Sequence, residues 1–563
     1  MGINNSSQKG EKMMSTKYDS DRKIWSGDVG STPLFHDNVT LGRSVLYLLN
    51  LNPEKVCQIS ADDGSKRTNG EIYQSTLKIA FNLQKLGCAK GDVVGFVCRN
   101  SHDLTPAFLA AFFLGAPPNA VDVAFSKDEI RNMFKTTSPK FVFCDHDVTR
   151  TVQKALLELG SNATIIVIGQ KDANFTHIDD LLDDKGSQME IMKLLLNPAE
   201  VDKRSVGAII CSSGTTGFHK GVAVSHKSLQ LTFCNPGMGL FVGPTDKMFS
   251  FSSLYWLSGY TAMLMSIFSG VPRIMTTKPF SPELLLSIVK EYKVSMLITP
   301  PAHAAQLLNC PLLEKDSLAN IRNYMCGGSL VTAELRNRIQ PYLPNGLFTI
   351  GYGMTEVGGG VSAQFLPSSK TSVGTLGAGV TAKVLDEDGQ QLGINEDGEI
   401  VVKTQTQFLG YYNNLKATKE ILDKDGWIHT GDLGHFDEDG LLFITGRKKD
   451  VMKYNNFHVS ASELEEILEK HPGVGQVIVV GIPDPVFTDL PAALVVKKNE
   501  STVSEEELIE LVEKNVSDFK RLRGGVFFVN EIPMTPSGKL RKVKVKELAI
   551  ELFKAKHSAK NGI

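Results

Sequence analysis

Apolar positions along the chain switch repeatedly between helical spacing and short unbroken runs. Glu71–Leu86 carries its apolar residues at helical spacing, whereas Val93–Val97, Lys140–Cys144 and Thr164–Ile168 are compact runs that predict buried strands. Val206–Ile210, Val222–Val224, Val294–Ile298 and Leu347–Ile350 continue the series, with helices such as Glu283–Lys290 between them. This alternation predicts an α/β fold on layered, largely parallel sheets. After about residue 370 the texture changes to short strands, Thr381–Leu385 and Gly398–Val402, separated by turns at 386–389 and Tyr411–Asn414. That texture predicts a small β-rich subdomain.

A boundary falls after Phe443–Gly446, where the charged run Arg447–Asp450 interrupts two apolar stretches. Beyond it the pattern predicts a helix capped by Ser460 with Glu463 completing a capping box, a strand Gln476–Val480, a helix capped by Ser504 with Glu507, and a strand Val526–Val529. The expected layout is a flexible N-terminus over 1–35, a large N-terminal domain over 36–446 that includes the β-rich part at about 370–446, a hinge at 447–450, and a small α+β C-terminal domain over 451–563.

Composition narrows this picture only a little. The 563 residues carry a formal charge of −2, so no global field recruits nucleic acid or an anionic membrane. The eight cysteines, at 57, 88, 98, 144, 211, 234, 310 and 326, form no Cys-x-x-Cys pair and follow no secretory signal, which predicts reduced thiols and a cytoplasmic setting. The charge-free stretch Met248–Pro272 is punctuated by serines and glycines and predicts a buried helix rather than a membrane span. Met1-Gly2-Ile3-Asn4-Asn5-Ser6 fits an N-myristoylation pattern, which would give weak lipid anchoring at Gly2; a peroxisomal setting is the alternative to the cytoplasm, although Asn561-Gly562-Ile563 is not a Ser-Lys-Leu signal.

The chemistry concentrates in five stretches. Ser212, Ser213, Gly214, Thr215, Thr216, Gly217 and Lys220 lie between two strand-like runs; the glycines let amide groups turn inward, and hydroxyls with a lysine suit phosphate oxygens. The spacing is not that of a Walker A loop. Gly351-Tyr352-Gly353-Met354-Thr355-Glu356 follows a strand and offers a flat ring, a hydroxyl and a hard-cation ligand, or else forms a plain strand-to-helix turn. Asp432 can accept from a ribose diol, with Arg447 across a hairpin; a solvated ion pair is the alternative. Lys539 sits in a Gly/Pro loop from which a flexible cation could reach a neighbouring site.

Together and in this order, these stretches resemble the adenylate-forming superfamily of acyl-CoA synthetases, 4-coumarate–CoA ligases, firefly-type luciferases and nonribosomal peptide adenylation domains. The resemblance runs from about residue 40 to 550 and is greatest to luciferase-like acyl-CoA synthetases. It implies a ligase that uses ATP, Mg2+ and coenzyme A to convert a carboxylic acid into an acyl-adenylate and then a thioester. It further implies that the 212–220 loop holds the β- and γ-phosphates, that Gly327, Gly328 and Ser329 border the adenine and acyl pockets, and that Tyr352 lies against adenine. Thr355 would touch the α-phosphate, Glu356 would ligate magnesium, Asp432 and Arg447 would hold the ribose, and Lys539 would bridge the acid and the α-phosphate. The C-terminal domain would then swing about Arg447–Asp450 to bring Lys453 to the site.

Departures from the family pattern bear on specificity. Asn455-Asn456-Phe457-His458 stands where many relatives read Lys-Gly-Tyr-Gln, placing bulk at Asn456 where pantetheine would pass, and His219 replaces a common proline. Tyr255 and Trp256 stand where luciferases carry a His-His pair, which counts against light emission. With Met325 and Met354 they predict an apolar, adaptable pocket for a medium- or long-chain acid. The alternatives are an aromatic-acid ligase or luciferase-like monooxygenase, and an inactive protein that binds ATP or acyl groups.

Overall fold

The computed structural model describes residues 15–28, 35, 39–183, 188–196, 201–202, 204–212, 219–233, 242–365, 370–406, 408–448, 452–454, 457–484, 487–534 and 540–560. Four sheets are built from the described residues. A seven-stranded sheet runs Lys220–Ser225, Val206–Ser212, Pro118–Ala120, Val94–Val97, Phe141–Asp145, Thr164–Ile168, Thr176–His177, and is parallel except for its first strand. A nine-stranded sheet has a parallel centre, Leu347–Met354, Asn323–Gly327, Met296–Thr299, Met248–Ser250, Arg273–Met275 and Val56–Ser60, with antiparallel strands at both edges. The α/β fold read from the hydrophobic pattern is therefore the observed one.

Helices form where the local chemistry favours them. Thr68 and Glu71 close a capping box on Asn69–Lys85, and Ser281 caps Pro282–Tyr292, with Pro282 at the position where a missing N–H costs nothing. Leu104–Leu114 is buried on every face, so it lies inside the core rather than over it. One continuous apolar core joins that helix to faces of three sheets, through Val94 and Phe96, Met248 and Met296, and Val384 and Ile400. The stretch Met248–Pro272 divides into a strand, Met248–Ser250, and a helix, Leu257–Ser269; among the described residues no helix is long and apolar enough to cross a membrane. The described cysteines are free and buried, and burial pushes the thiols of Cys57, Cys88, Cys144 and Cys211 up to about 12.

The β-rich region is a six-stranded antiparallel sheet, and two of its strands come from the other end of the chain. Lys17–Asp19, at the edge, pairs with Ile24–Ser26, which in turn pairs with Thr381–Leu385. Trp25 is fully buried, stacked between Tyr18 and Phe436. The expectation of a flexible N-terminus over 1–35 therefore fails for 15–28. A single Trp in a polar segment shows no periodicity, yet burying a ring of this size contributes about 2–3 kcal/mol and outweighs the polarity around it.

The C-terminal region is a five-stranded sheet with separate apolar clusters on its two faces, one around Val477 and Val495, the other around Ile482 and Leu494. The capping box expected at Ser460 is absent: Ser460 begins the helix Ala461–Glu469 but its hydroxyl, like that of Ser462, donates to the Thr445 carbonyl, and Glu463 takes Lys520 instead. The second helix keeps its cap, with Ser504 accepting from the Glu507 amide. The two serines thus fasten this domain to the end of the β-rich sheet, immediately before Arg447.

Candidate active site

The stretch expected to grip phosphate lies between two strands that form an antiparallel pair. Cys211 faces Gly221 and Ser212 faces Lys220 at the open end of Val206–Ser212 and Lys220–Ser225. A Cβ at Gly221 would stand 2.8 Å from Ile209, so close strand packing requires the glycine. Ser213, Gly214, Thr215, Thr216 and Gly217 lie outside the described residues. His219 precedes the second strand: its Nδ1 lies 3.1 Å from the Tyr255 hydroxyl, which donates to the neutral ring, and Phe125 lies against it at 4.5 Å. Burial lowers the imidazole pKa and keeps the ring neutral for this role.

Tyr255 is consequently engaged. It is buried, belongs to the cluster around Cys211 and Val121, and turns its polar tip to His219. Trp256 packs edge-on against it at 4.6 Å and is less buried, while Met325 and Met354 pack against the main core from neighbouring strands.

A second cluster gathers Tyr352, Asp432 and Arg447 from sequence separations of 80 and 15 residues. Asp432 and Arg447 are cross-strand partners between Ile428–Phe436 and Leu442–Arg447. Arg447 Nε reaches Asp432 Oδ1 at 3.0 Å, and the Tyr352 hydroxyl donates to Oδ2 at 2.8 Å. The carboxylate side chain is only 8% exposed and the guanidinium 56%, so the aspartate is a fixed acceptor and the arginine faces solvent. Burial first, and then the Asp432 charge, raise the Tyr352 phenol far above its ordinary value, which keeps it a donor. Beside it Gly327 and Gly351 are register partners, and a Cβ on Gly327 would collide with the Gly351 carbonyl at 2.5 Å. A Cβ on Gly351 would meet nothing within 4 Å: the backbone there borders open space. Gly328 takes the left-handed φ of +89°, and Ser329 donates to its carbonyl from an exposed position. An acceptor fixed by a buried phenol, next to a glycine-lined opening, fits a nucleoside.

Glu356 sits in the one-turn 3-10 helix Thr355–Val357 that ends the strand Leu347–Met354. Its Oε1 accepts from the Tyr411 hydroxyl at 2.8 Å. Lys220 Nζ lies 4.7 Å above the Tyr411 ring. Tyr411 was legible in the sequence only as part of a turn; nothing local marks its side chain as reaching two motifs. Among the described residues no group of three or more His, Cys, Asp or Glu forms a cage. A single hard carboxylate fits a Mg2+ that arrives with a triphosphate and keeps most of its ligands from phosphate and water.

The remaining expected residues divide in two. Thr355 opens the turn that carries Glu356, and the backbone of Lys453 lies on the strand Met452–Tyr454, paired with His458. Lys539, Asp450 and Asn456 lie outside the described residues. Arg447 ends the last strand of the β-rich sheet, and Lys448, the next residue, has its Nζ tied to Glu399 at 2.9 Å.

Comparison with known proteins gives the same picture. The profile of the AMP-binding enzyme family matches residues 49–412, and that of the AMP-binding enzyme C-terminal domain matches 463–539. A probable 4-coumarate–CoA ligase 3 of Dictyostelium discoideum is 30% identical over 518 residues, covering 89% of this chain and 94% of that one. The crystal structure of ATP-bound MatB from Rhodopseudomonas palustris superposes with a TM-score of 0.81 at 25% identity, covering 92% of this chain and 100% of that chain. The luciferase-like enzyme from the nonluminescent Zophobas morio mealworm superposes with a TM-score of 0.68 at 25% identity, over 75% and 98% of the two chains. A family profile that matches well over half of the sequence, with a relative 30% identical along nearly its whole length, means that the chain belongs to the AMP-binding enzyme family, the adenylate-forming acid–thiol ligases, whose members work with ATP, Mg2+ and coenzyme A.

Proposed function

We propose that this chain activates an apolar carboxylic acid with ATP and transfers the acyl group to coenzyme A. The observation that carries the reading is the pairing of two clusters on neighbouring elements: Tyr352–Asp432–Arg447, suited to ribose, and Glu356–Tyr411–Lys220, suited to a metal-bound triphosphate. In the first step a carboxylate oxygen bonds to the α-phosphorus, the bond to the β-phosphate bridge breaks, and pyrophosphate leaves. Charge accumulates on the α-phosphate and on the departing pyrophosphate, so Lys539 is assigned to the first and Lys220 to the second, with Thr355 as a hydroxyl donor to the α-phosphate; Mg2+, when bound, would supply further charge stabilisation through Glu356. In the second step the thiol sulfur bonds to the acyl carbon and AMP departs with the electron pair. Lys453 is assigned to this step, after rotation about 447–450.

The acid is apolar in this reading. Met325 and Met354 are partly buried beside the main core and Trp256 offers a broad ring, which suits a medium- or long-chain aliphatic acid. Relatives named 4-coumarate–CoA ligases at about 30% identity support an aryl acid equally well. A panel of aliphatic and aryl acids in ATP–pyrophosphate exchange, each with AMP release followed with and without coenzyme A, separates them. Acid-dependent exchange accelerated to a thioester supports the ligase; exchange without a thioester places the block at the thiol step, and no exchange with any acid refutes the reading.

A further inference from the structure

We propose that Tyr411 is a positioning residue for the metal–triphosphate end of the site, setting the orientation of Glu356 and holding Lys220 where the phosphates arrive. The inference rests on the assignment of Glu356 as metal ligand and Lys220 as phosphate ligand. Three parts of the site, the start of the phosphate loop, its end and the acidic turn, come from different strands, and Tyr411 touches all three. Its hydroxyl donates to Glu356 Oε1 at 2.8 Å, the Ser212 side chain hydrogen-bonds the phenol oxygen, and Lys220 Nζ lies 4.7 Å over the ring.

The backbone beneath the ring is fixed independently of these contacts. The Ala223 amide donates to the Gly410 carbonyl at 3.0 Å, the Tyr412 amide to the Gly221 carbonyl at 2.7 Å, and Tyr411 bridges Val222. Gly410 takes φ +100°, a conformation a side chain resists, and the Tyr411 amide donates to Thr418 Oγ1 at 2.9 Å. Asn414 caps the following helix Leu415–Ile421. The phenol is therefore delivered from a turn anchored to the same strand that carries Lys220.

The chemistry follows from donor counting. A phenol has one proton to give, and here it goes to one carboxylate oxygen, leaving Oε2 of Glu356 to face a hard cation. A phenol keeps its proton at physiological pH, so the donor to Glu356 persists there. The ring face holds the Lys220 ammonium by cation–π attraction, which is weaker than a desolvated pairing with phosphate. Lys220 is thus held in place without being locked there.

A purely structural role would be filled by phenylalanine, which keeps the ring, its contact with Phe408 at 5.6 Å and the cation–π face. Tyr411→Phe should raise the Mg2+ concentration for half-maximal ATP–pyrophosphate exchange by about tenfold or more, as expected for losing a hydrogen bond to a charged group. The KM for the acid should stay unchanged, and the ligand-free Tm should fall only by what one lost hydrogen bond explains. Independently of activity, the extra thermal stabilisation given by ATP with Mg2+ over ATP with a chelator should shrink. Wild-type values of both Mg2+ readouts in Tyr411→Phe overturn the proposal. Glu356→Gln is the control: if it leaves Mg2+ dependence untouched, the assignment of Glu356 fails instead, and if it shifts that dependence, Tyr411→Phe added to it should have no further effect. Should Tyr411→Phe fail to fold, Thr418→Val, which removes the acceptor of the Tyr411 amide and touches none of the assigned site residues, should give a smaller shift in the same direction, and no shift there also overturns the proposal.

Discussion

Asp432→Asn is the sharpest test of the nucleoside cluster, because the substitution preserves shape and removes charge. In the structure one carboxylate oxygen accepts from the Tyr352 phenol at 2.8 Å and the other from Arg447 Nε at 3.0 Å. The amide oxygen can still accept from Tyr352, but its NH2 then opposes the guanidinium. The Arg447 pair counts for little, about 0–1 kcal/mol, since that side chain is more than half exposed. The larger loss is acceptance from a sugar hydroxyl by a charged, buried group, about 1.5–3 kcal/mol. At 1.4 kcal/mol per tenfold, the KM for ATP should rise by roughly 10–100-fold. The assay is acid-dependent ATP–pyrophosphate exchange with ATP and with 2′,3′-dideoxy-ATP, in wild type and variant. The wild type should discriminate against the dideoxy nucleotide and the variant should not. Equal losses on both nucleotides in the variant, with discrimination intact, would refute the ribose assignment and leave Asp432 as a structural anchor for Tyr352.

Further outcomes are expected elsewhere in the chain. Lys539→Ala should slow adenylation on the order of a hundredfold or more while sparing thioester formation from supplied acyl-adenylate; equal loss of both steps counts against its assignment. Burial pushes His226 and His303 down to about 4 from 6.5, so each is neutral in the native state while the unfolded chain already binds a proton. Stability is therefore full above about pH 6.5 and falls as pH drops toward about 4, and His303→Phe, which keeps the stack on Phe280 at 3.7 Å, should flatten a Tm-versus-pH curve over that window; an unchanged slope refutes the account. Gly358 has φ +73° and a Cβ there would lie 2.3 Å from Ser228 Oγ, so Gly358→Ala should cost at least about 1–2 kcal/mol in urea unfolding. Asn456→Gly should speed the thioester step and leave pyrophosphate exchange alone, as stopped-flow of the two half-reactions would show.

The sequence determined the layered α/β class, the strands that carry the motifs, and the residue types able to meet phosphate, ribose and a hard cation. Those features rest on local chemistry: apolar runs such as Thr164–Ile168 become strands, and Thr68 with Glu71 caps a helix, whatever lies far away. Local chemistry also misled at Ser460, whose hydroxyl turns to donate to the Thr445 carbonyl across the domain boundary and accepts nothing from the helix it precedes. Only the tertiary structure decided that Trp25 ties the N-terminal segment to the β-rich sheet, that Tyr255 serves His219, and that Tyr411 links the phosphate loop to Glu356. Each of these is a contact between side chains tens to hundreds of residues apart. Such a contact depends on how sheets and turns are stacked, and a stretch of sequence carries no periodicity that records its distant neighbours.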